Sequence, residues 1–527
     1  MHDFIINNAA LIDGSDTSAY IGSLSVIDGR ISGIWPCAKA PVPAKRAYDA
    51  RGCTLCPGLI DTHTHSDISI FRNGCQPSSI TQGVTSEIIG QCGLSYAPLG
   101  GKNLRDFAIY MCGINGPLND KMLDFSSARN YIRHFEGKIG VNLAWLVPHG
   151  AIRMAVAGFS NRFLTSNEME NAKGLVRESM EQGAVGMSTG LSYFPGAYCN
   201  TDELVELCRV IARFEGVYAT HLRTVFIGKP FDAVEEALEI ARRSGVKLHF
   251  SHYRTGVQTL GQTDRIMEKI DAAVSDGLDI TLELYPYPYG ASFAVMYLPA
   301  WANEDGPDAI LARLEDDNKR AAIGAYIEAE FGHLDPVVSY AGVNTSYEGK
   351  SFSLISQEMG LPYGQAVAEL LRSQKLAVGC HEGDPKLDSV LQTRFEKDLF
   401  ELLERSYYMV GSDAVHVGSY PHPRAFGCFA KLLRLARQYN FPLETLINRM
   451  CYLPARRFGL HERGLLKEGY AADVVLFDPT VVTDTASTKA PRSPAKGLYM
   501  TFVNGVAALE NGELTGSLTG QFLKKGE

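Results

Sequence analysis

His63 and His65 stand one residue apart at the close of an apolar run, Leu59-Ile60-Asp61-Thr62-His63-Thr64-His65. Pro57-Gly58 breaks the chain ahead of it, and alternate residues of an extended segment share a face, so both imidazoles can be offered to one metal ion. Two hydrogen-bonded loop histidines would look the same, and recurrences further along decide between the readings. Gly90-Gln91-Cys92-Gly93, Ala219-Thr220-His221, Phe250-Ser251-His252 and Gly411-Ser412-Asp413 each end a run that reads as a buried strand. His65 lies 27 residues before Cys92, and His221 lies 31 before His252, about one strand–helix–strand unit each time. Imidazole, thiolate and carboxylate meeting on one rim suit Zn2+. Cys92, between glycines, is placed to hold one ion or bridge two, and Asp413 to act as the general base beside an activated water. The fourth strand candidate, Ala184–Ser188, ends without a lysine, so no carbamylated-lysine bridge is available there.

Eight buried-strand candidates can position these residues: Leu55–Asp61, Val84–Cys92, Val141–Val147, Ala184–Ser188, Val217–His221, Lys247–His252, Ile280–Tyr285 and Tyr408–Asp413. Helical stripes alternate with them. Leu204, Leu207, Cys208 and Ile211 follow a capping-box-like Asn200 and Glu203, and Val234, Ala237, Leu238 and Ala241 precede a terminating Gly245. The fold class is therefore α/β, an eight-stranded (β/α)8 TIM-like barrel with its chemistry at the carboxyl ends of the strands. A doubly wound open sheet is less favoured, because no Gly-x-Gly-x-x-Gly opens a helix. Residues 1–56 and 458–527 alternate short β runs with Asp-Gly and Asn-Gly turns, which predicts a small β-sandwich domain built from both termini. The barrel occupies 57–457, and the gap at about 290–405 holds an insertion after the seventh strand.

Composition narrows the function classes. The chain has 527 residues, 45% of them hydrophobic, and its net charge of −9 argues against non-specific nucleic-acid binding. No run reaches the roughly 18–20 apolar residues of a spanning helix, and the first residues lack a signal peptide's basic and apolar regions. Eleven scattered cysteines do not form a disulfide framework. A cytoplasmic protein without membrane or nucleic-acid partners is expected, and a homo-oligomer is left open.

These residues resemble the D-aminoacylase (N-acyl-D-amino-acid deacylase) family of the amidohydrolase superfamily. The resemblance runs along nearly the whole chain, through Pro57–His65, Gly83-Val84-Thr85, Gly90–Pro98, Met187–Tyr193, Tyr218–Arg223, Ser251-His252, Pro421-His422-Pro423-Arg424 and Gly469–Val475. It implies a tight zinc site of Cys92, His221 and His252. It also implies a weaker second site of His63 and His65 with Cys92 bridging and Asp413 nearby, and Asp413 as catalytic acid/base. For the substrate carboxylate it implies Arg254, Arg424, Tyr285 and Ser292, with Tyr193 as a wall residue. Departures fall near the substrate. Arg254 stands where lysine is common, Tyr285–Ser292 is one residue longer than the family pattern, and Cys380-His381-Glu382 is unusual. The implied reaction is zinc-dependent hydrolysis of a small-molecule N-acyl-D-amino acid. Cyclic-amide or dipeptide hydrolysis is the rival within the class, and a catalytically silent barrel acting as a binding protein the rival outside it.

Overall fold

A computed structural model describes residues 1–118, 124–223, 230–382 and 387–526. Its centre is a ring of eight parallel strands in sequence order: β1 (Leu59–Asp61), β2 (Val84–Ile89), β3 (Asn142–Pro148), β4 (Gly186–Gly190), β5 (Val217–His221), β6 (Lys247–Phe250), β7 (Ile280–Leu284) and β8 (Tyr408–Val410). The ring closes between β8 and β1, where Thr62 Oγ1 donates to the Val410 carbonyl at 2.9 Å and Asp413 N donates to the His63 carbonyl at 2.7 Å. Beyond that seam the short strands Thr64–His65 and Ala414–Val415 pair in parallel. The TIM-like barrel read from strand–helix alternation is the observed fold. Strand polarity brings all eight carboxyl ends to one face.

Several strands stop short of their expected ends. β2 ends at Ile89 rather than Cys92, β6 at Phe250 rather than His252, and β8 at Val410 rather than Asp413. Leu55–Asp61 is divided, since Thr54–Pro57 joins the terminal sheet and only Leu59–Asp61 enters the barrel. The backbone explains the early ends. Cys92, His252 and Asp413 have φ of 55°, 39° and 51°, which takes each out of the hydrogen-bonded ladder.

The barrel floor is apolar. Ile60, Ile88, Leu146, Val217, Ala219 and Met409 pack inside the ring against Phe458 and Leu460, each larger side chain contributing roughly 1.5–3 kcal/mol by burial. Strands from both chain ends form a second, nine-stranded sheet. In it the strand of Phe4 and the strand of Phe502 are separated by two others, yet their rings stack at 4.5 Å. A flat sheet would hold them about 14 Å apart, so the sheet folds over on its own core, as a sandwich does. After β7 the chain makes a three-stranded antiparallel sheet (Ala291–Phe293, Val337–Ala341, Val378–His381) with four helices between Pro307 and Ser373. Helix Ser389–Leu403 then rejoins the outer ring, where Glu401 accepts from Thr263 at 2.8 Å. Among the described residues no helix is long and apolar enough to cross a membrane.

Candidate metal centre

His65 and His221 reach the mouth from strand ends, whereas Cys92, His252 and Asp413 reach it through left-handed turns. The Gln91–Gly93 turn is pinned from both sides: Gln91 Nε2 donates to the Thr62 carbonyl at 2.7 Å, and Gly93 N donates to Ser188 Oγ at 2.9 Å. Only glycine fits at 190, because a Cβ there would stand 2.2 Å from the Cys92 carbonyl oxygen. Left-handed backbone at three non-glycine residues costs roughly 1–3 kcal/mol each, and such outliers cluster where geometry serves a site.

The result is a tight group. Cys92 Sγ lies 3.4 Å from His63 Nε2 and 3.9 Å from His221 Nδ1, and His221 Nδ1 lies 2.9 Å from His252 Nε2. Asp413 Oδ1 is 3.5 Å from His63 Nε2 and 3.4 Å from His65 Nε2. Zn–N bonds of about 2.0 Å and Zn–S bonds of about 2.3 Å in a tetrahedron require ligand atoms roughly 3.3–3.6 Å apart. Two triads, His63–His65–Cys92 and Cys92–His221–His252, each bring their ligand atoms within 4.8 Å of one another, and Cys92 belongs to both. The Cys92–His63 separation of 3.4 Å falls in the tetrahedral range, and those of 2.9 and 3.9 Å lie on either side of it.

The charges fit a divalent cation. Burial alone would raise the Cys92 thiol, yet His63, His221 and His252 hold it well below its ordinary value, as a thiolate. Burial would likewise raise Asp413, but Arg424 first and then His63 and His65 hold it well below the usual carboxylate range. Burial opposes charge on His63, and the Glu283, Cys92 and Asp413 anions override it, pushing the imidazole well up. Three buried anions thus face one permanent cation in contact, Arg424. The imbalance and the N/S/O donor set together match zinc.

Glu283 and His249 escaped the sequence reading. Glu283 is completely buried inside β7, where it bonds His63 Nδ1 and Thr62 Oγ1 and accepts from His249 Nε2 at 3.0 Å. It fixes which His63 nitrogen faces the centre, the usual role of a carboxylate behind a ligating imidazole. The signal was present, since a charged residue in the apolar run Ile280-Thr281-Leu282-Glu283-Leu284 is costly unless paired. Gly411 leaves room for it; a Cβ there would lie 2.7 Å from Glu283 Oε2.

A cavity of about 660 Å³ opens above the centre, lined by His65, Cys92, Tyr193, His221, His252, Arg254, Tyr285, Ser292 and Asp413. His63 and Arg424 are completely buried behind it. Two guanidiniums lie against the Tyr285 ring, with Arg254 Cζ 4.4 Å and Arg424 Cζ 4.6 Å from its centroid. Arg254 donates to the Thr255 and Tyr289 carbonyls at 3.2 and 3.4 Å. Arg424 Nη1 lies 2.9 Å from Asp413 Oδ2, but none of its guanidinium nitrogens makes an aligned hydrogen bond. Pro421–Arg424 is a helix start, in which His422 Nδ1 accepts from Arg424 N at 3.0 Å. Ser292 Oγ is 3.5 Å from Tyr193 OH, and the Tyr193 ring lies 4.9 Å from that of His221. Of the Cys380-His381-Glu382 segment, Cys380 and Glu382 line the same cavity, and His381 is in neither triad.

Comparison with known proteins agrees with this geometry. The model of the amidohydrolase family matches residues 46–508. The chain is 32% identical to N-acyl-D-aspartate deacylase of Alcaligenes xylosoxydans xylosoxydans, over 100% of this chain and 95% of that protein. It is 30% identical to D-aminoacylase of the same organism, over 99% and 98%. A solved N-acyl-D-glutamate deacylase from Bordetella bronchiseptica, in complex with zinc and a phosphonate mimic of the tetrahedral intermediate, superposes with a TM-score of 0.83 at 28% identity, covering 99% of each chain.

Proposed function

This chain belongs to the amidohydrolase family, in its D-aminoacylase branch, and from that premise we propose that it hydrolyses the amide bond of N-acyl-D-amino acids, releasing a carboxylic acid and a free D-amino acid. The observation that carries the reading is the pair of ligand triads sharing Cys92, with Asp413 beside them at the floor of a cavity that also presents Arg254. Cys92, His221 and His252 would hold a tight zinc, and His63, His65 and Cys92, with Asp413 nearby, a weaker second one. Bound zinc supplies Lewis-acid polarisation of the scissile carbonyl and makes a water nucleophilic at neutral pH.

The protein's own residues do the rest. Asp413, ionised and within 3.5 Å of two imidazoles, accepts the proton of the attacking water at Oδ1 and returns it to the departing amide nitrogen. Arg424 keeps that carboxylate ionised between turnovers through its 2.9 Å contact. Arg254 takes the substrate α-carboxylate with its planar fork, and Arg424 supplies the second positive charge from behind Tyr285. Tyr285 and Ser292 offer hydroxyl donors to the same carboxylate, and Tyr193 forms the wall over His221. Glu283 and His249 hold the His63 ring in place from below. All eleven cysteines are free thiols, which supports a reducing, cytoplasmic setting.

The test is a panel of N-acyl amino acids of both hands, with zinc measured in the same preparation. Release of D- but not L-amino acids, lost on chelation and restored by zinc, is expected. Cleavage of hydantoins or dipeptides in preference to acylated D-amino acids would overturn the reading.

A further inference from the structure

Cys380-His381-Glu382 is the sequence oddity that the reaction leaves unused, and its carboxylate stands in the substrate cavity. Resting on the deacylase reading above, we propose that Glu382 selects the side chain of the D-amino acid, favouring a cationic one of the lysine or arginine class over the acidic ones.

The first ground is that the carboxylate is held in place. Glu382 N donates to the Gly290 carbonyl at 3.0 Å, and Gly290 N donates back to Glu382 Oε2 at 2.9 Å. This reciprocal pair folds the side chain over the end of the three-stranded sheet, which removes much of the freedom an exposed glutamate otherwise keeps.

The second ground is where that fold leaves it. A point at the Cβ position of Gly290 lies 3.3 Å from Tyr285 OH and 3.7 Å from Glu382 Oε2, so about 7 Å at most separates the two groups. Arg254 bonds the carbonyl of Tyr289, the residue before Gly290. Glu382 therefore stands beside the grip for the α-carboxylate. The amino-acid side chain branches from the carbon that bears that carboxylate, whereas the acyl chain leaves from the far side of the scissile bond. A wall group next to the grip consequently meets the side chain.

The third ground is the rest of the wall. Met296, Tyr297, Phe331 and Leu334 line the same cavity and offer an apolar surface for a methylene stem. Among the described lining residues Arg254 is the one permanent cation, and the α-carboxylate claims it. An acidic side chain would meet Glu382 with no cation of its own. A long side chain ending in ammonium or guanidinium would lay its stem on the apolar wall and its charge on Glu382. Specificity of this kind combines an attractive and a repulsive element in one residue.

The experiment compares kcat/KM for Nα-acetyl-D-lysine, N-acetyl-D-norleucine and N-acetyl-D-glutamate in the zinc-loaded wild-type enzyme and in Glu382→Gln. Glutamine keeps an acceptor for Gly290 N and removes only the charge. Wild type is expected to rank lysine above norleucine above glutamate. The variant should lower the lysine-to-norleucine ratio about tenfold and raise the glutamate-to-norleucine ratio by a similar factor. An equal loss on all three substrates would assign Glu382 to the shared carboxylate grip or to loop structure and overturn the proposal. So would glutamate as the preferred wild-type substrate, a result that needs no variant. Hydrolysis of none of the three by zinc-loaded enzyme would instead remove the deacylase reading itself, so the two failures are distinct.

Discussion

Among the described residues, the protein buries histidine, cysteine and carboxylate together in two places, and the two are opposites. At the barrel mouth, Cys92, the four histidines and Asp413 converge with anions in excess. Beside β3 and β4, His149, Cys199 and Glu203 also bring ligand atoms within 4.8 Å of one another. There, however, Glu203 is already paired with Arg153 and accepts from His149 Nε2 at 2.9 Å, and Arg223 reaches Cys199 Sγ at 3.5 Å. Two guanidiniums occupy the positive role that a metal would take. Burial pushes the Cys199 thiol up to about 12, whereas at the mouth three imidazoles overcome burial and leave Cys92 a thiolate. Donor types and proximity are therefore insufficient to make a metal site. What distinguishes the mouth is negative charge in excess of its one permanent counterion, Arg424, with Cys92, His252 and Asp413 on left-handed turns.

The largest effect expected of any substitution is at the shared ligand. Cys92→Ala removes a donor from both triads, so zinc per chain measured by mass spectrometry should fall to near zero and kcat/KM by at least about 10³-fold. Asp413→Asn should lower kcat about 10²–10⁴-fold while the tight zinc stays bound, which separates proton transfer from metal retention. At the second cluster the outcome moves to stability. Glu203→Ala strands the buried Arg153 guanidinium and takes away the His149 partner, and should cost about 3–5 kcal/mol in denaturant unfolding, with zinc content unaltered. Burial pushes Glu203 up, but His149 and Arg153 hold it below its ordinary value. The wild-type advantage should accordingly be full above the usual carboxylate range, shrink as pH falls below it, and be lost only as pH passes the lower folded-state value of Glu203, so the two unfolding curves approach each other in acid. Glu283→Gln tests the support beneath the mouth, and zinc affinity in competition with a chelator should weaken about 10–100-fold. The smallest effect is expected of Cys199→Ala, about 1–2 kcal/mol of stability and no change in zinc. A loss of zinc in that variant would erase the contrast between the clusters.

Helix starts show where local signals reached their limit. The Asn200 and Glu203 spacing marks a real N-terminus, and Asn200 Oδ1 accepts from Glu203 N at 2.9 Å. The Glu203 side chain, however, turns inward to His149 and Arg153 instead of returning to the cap. No local pattern specifies that choice, because its partners lie 50 and 54 residues away. Arg424 is similar. Its place after the eighth strand was legible, but its burial against Asp413 and Tyr285 was not. Strand periodicity misses Glu283 because it rewards apolar residues and says nothing of a charge whose partners stand just after β1 and on β6.

By itself the amino-acid order determined the barrel and the ligand types at its rim. Strand–helix alternation admits few closed packings, and chemistry-bearing residues recurred at the strand ends one unit apart. Only the folded chain decided how charge is settled among those residues. Pairing, burial and the left-handed turns at Cys92, His252 and Asp413 depend on groups remote in sequence, whose interaction energies follow distance in space and not position along the chain.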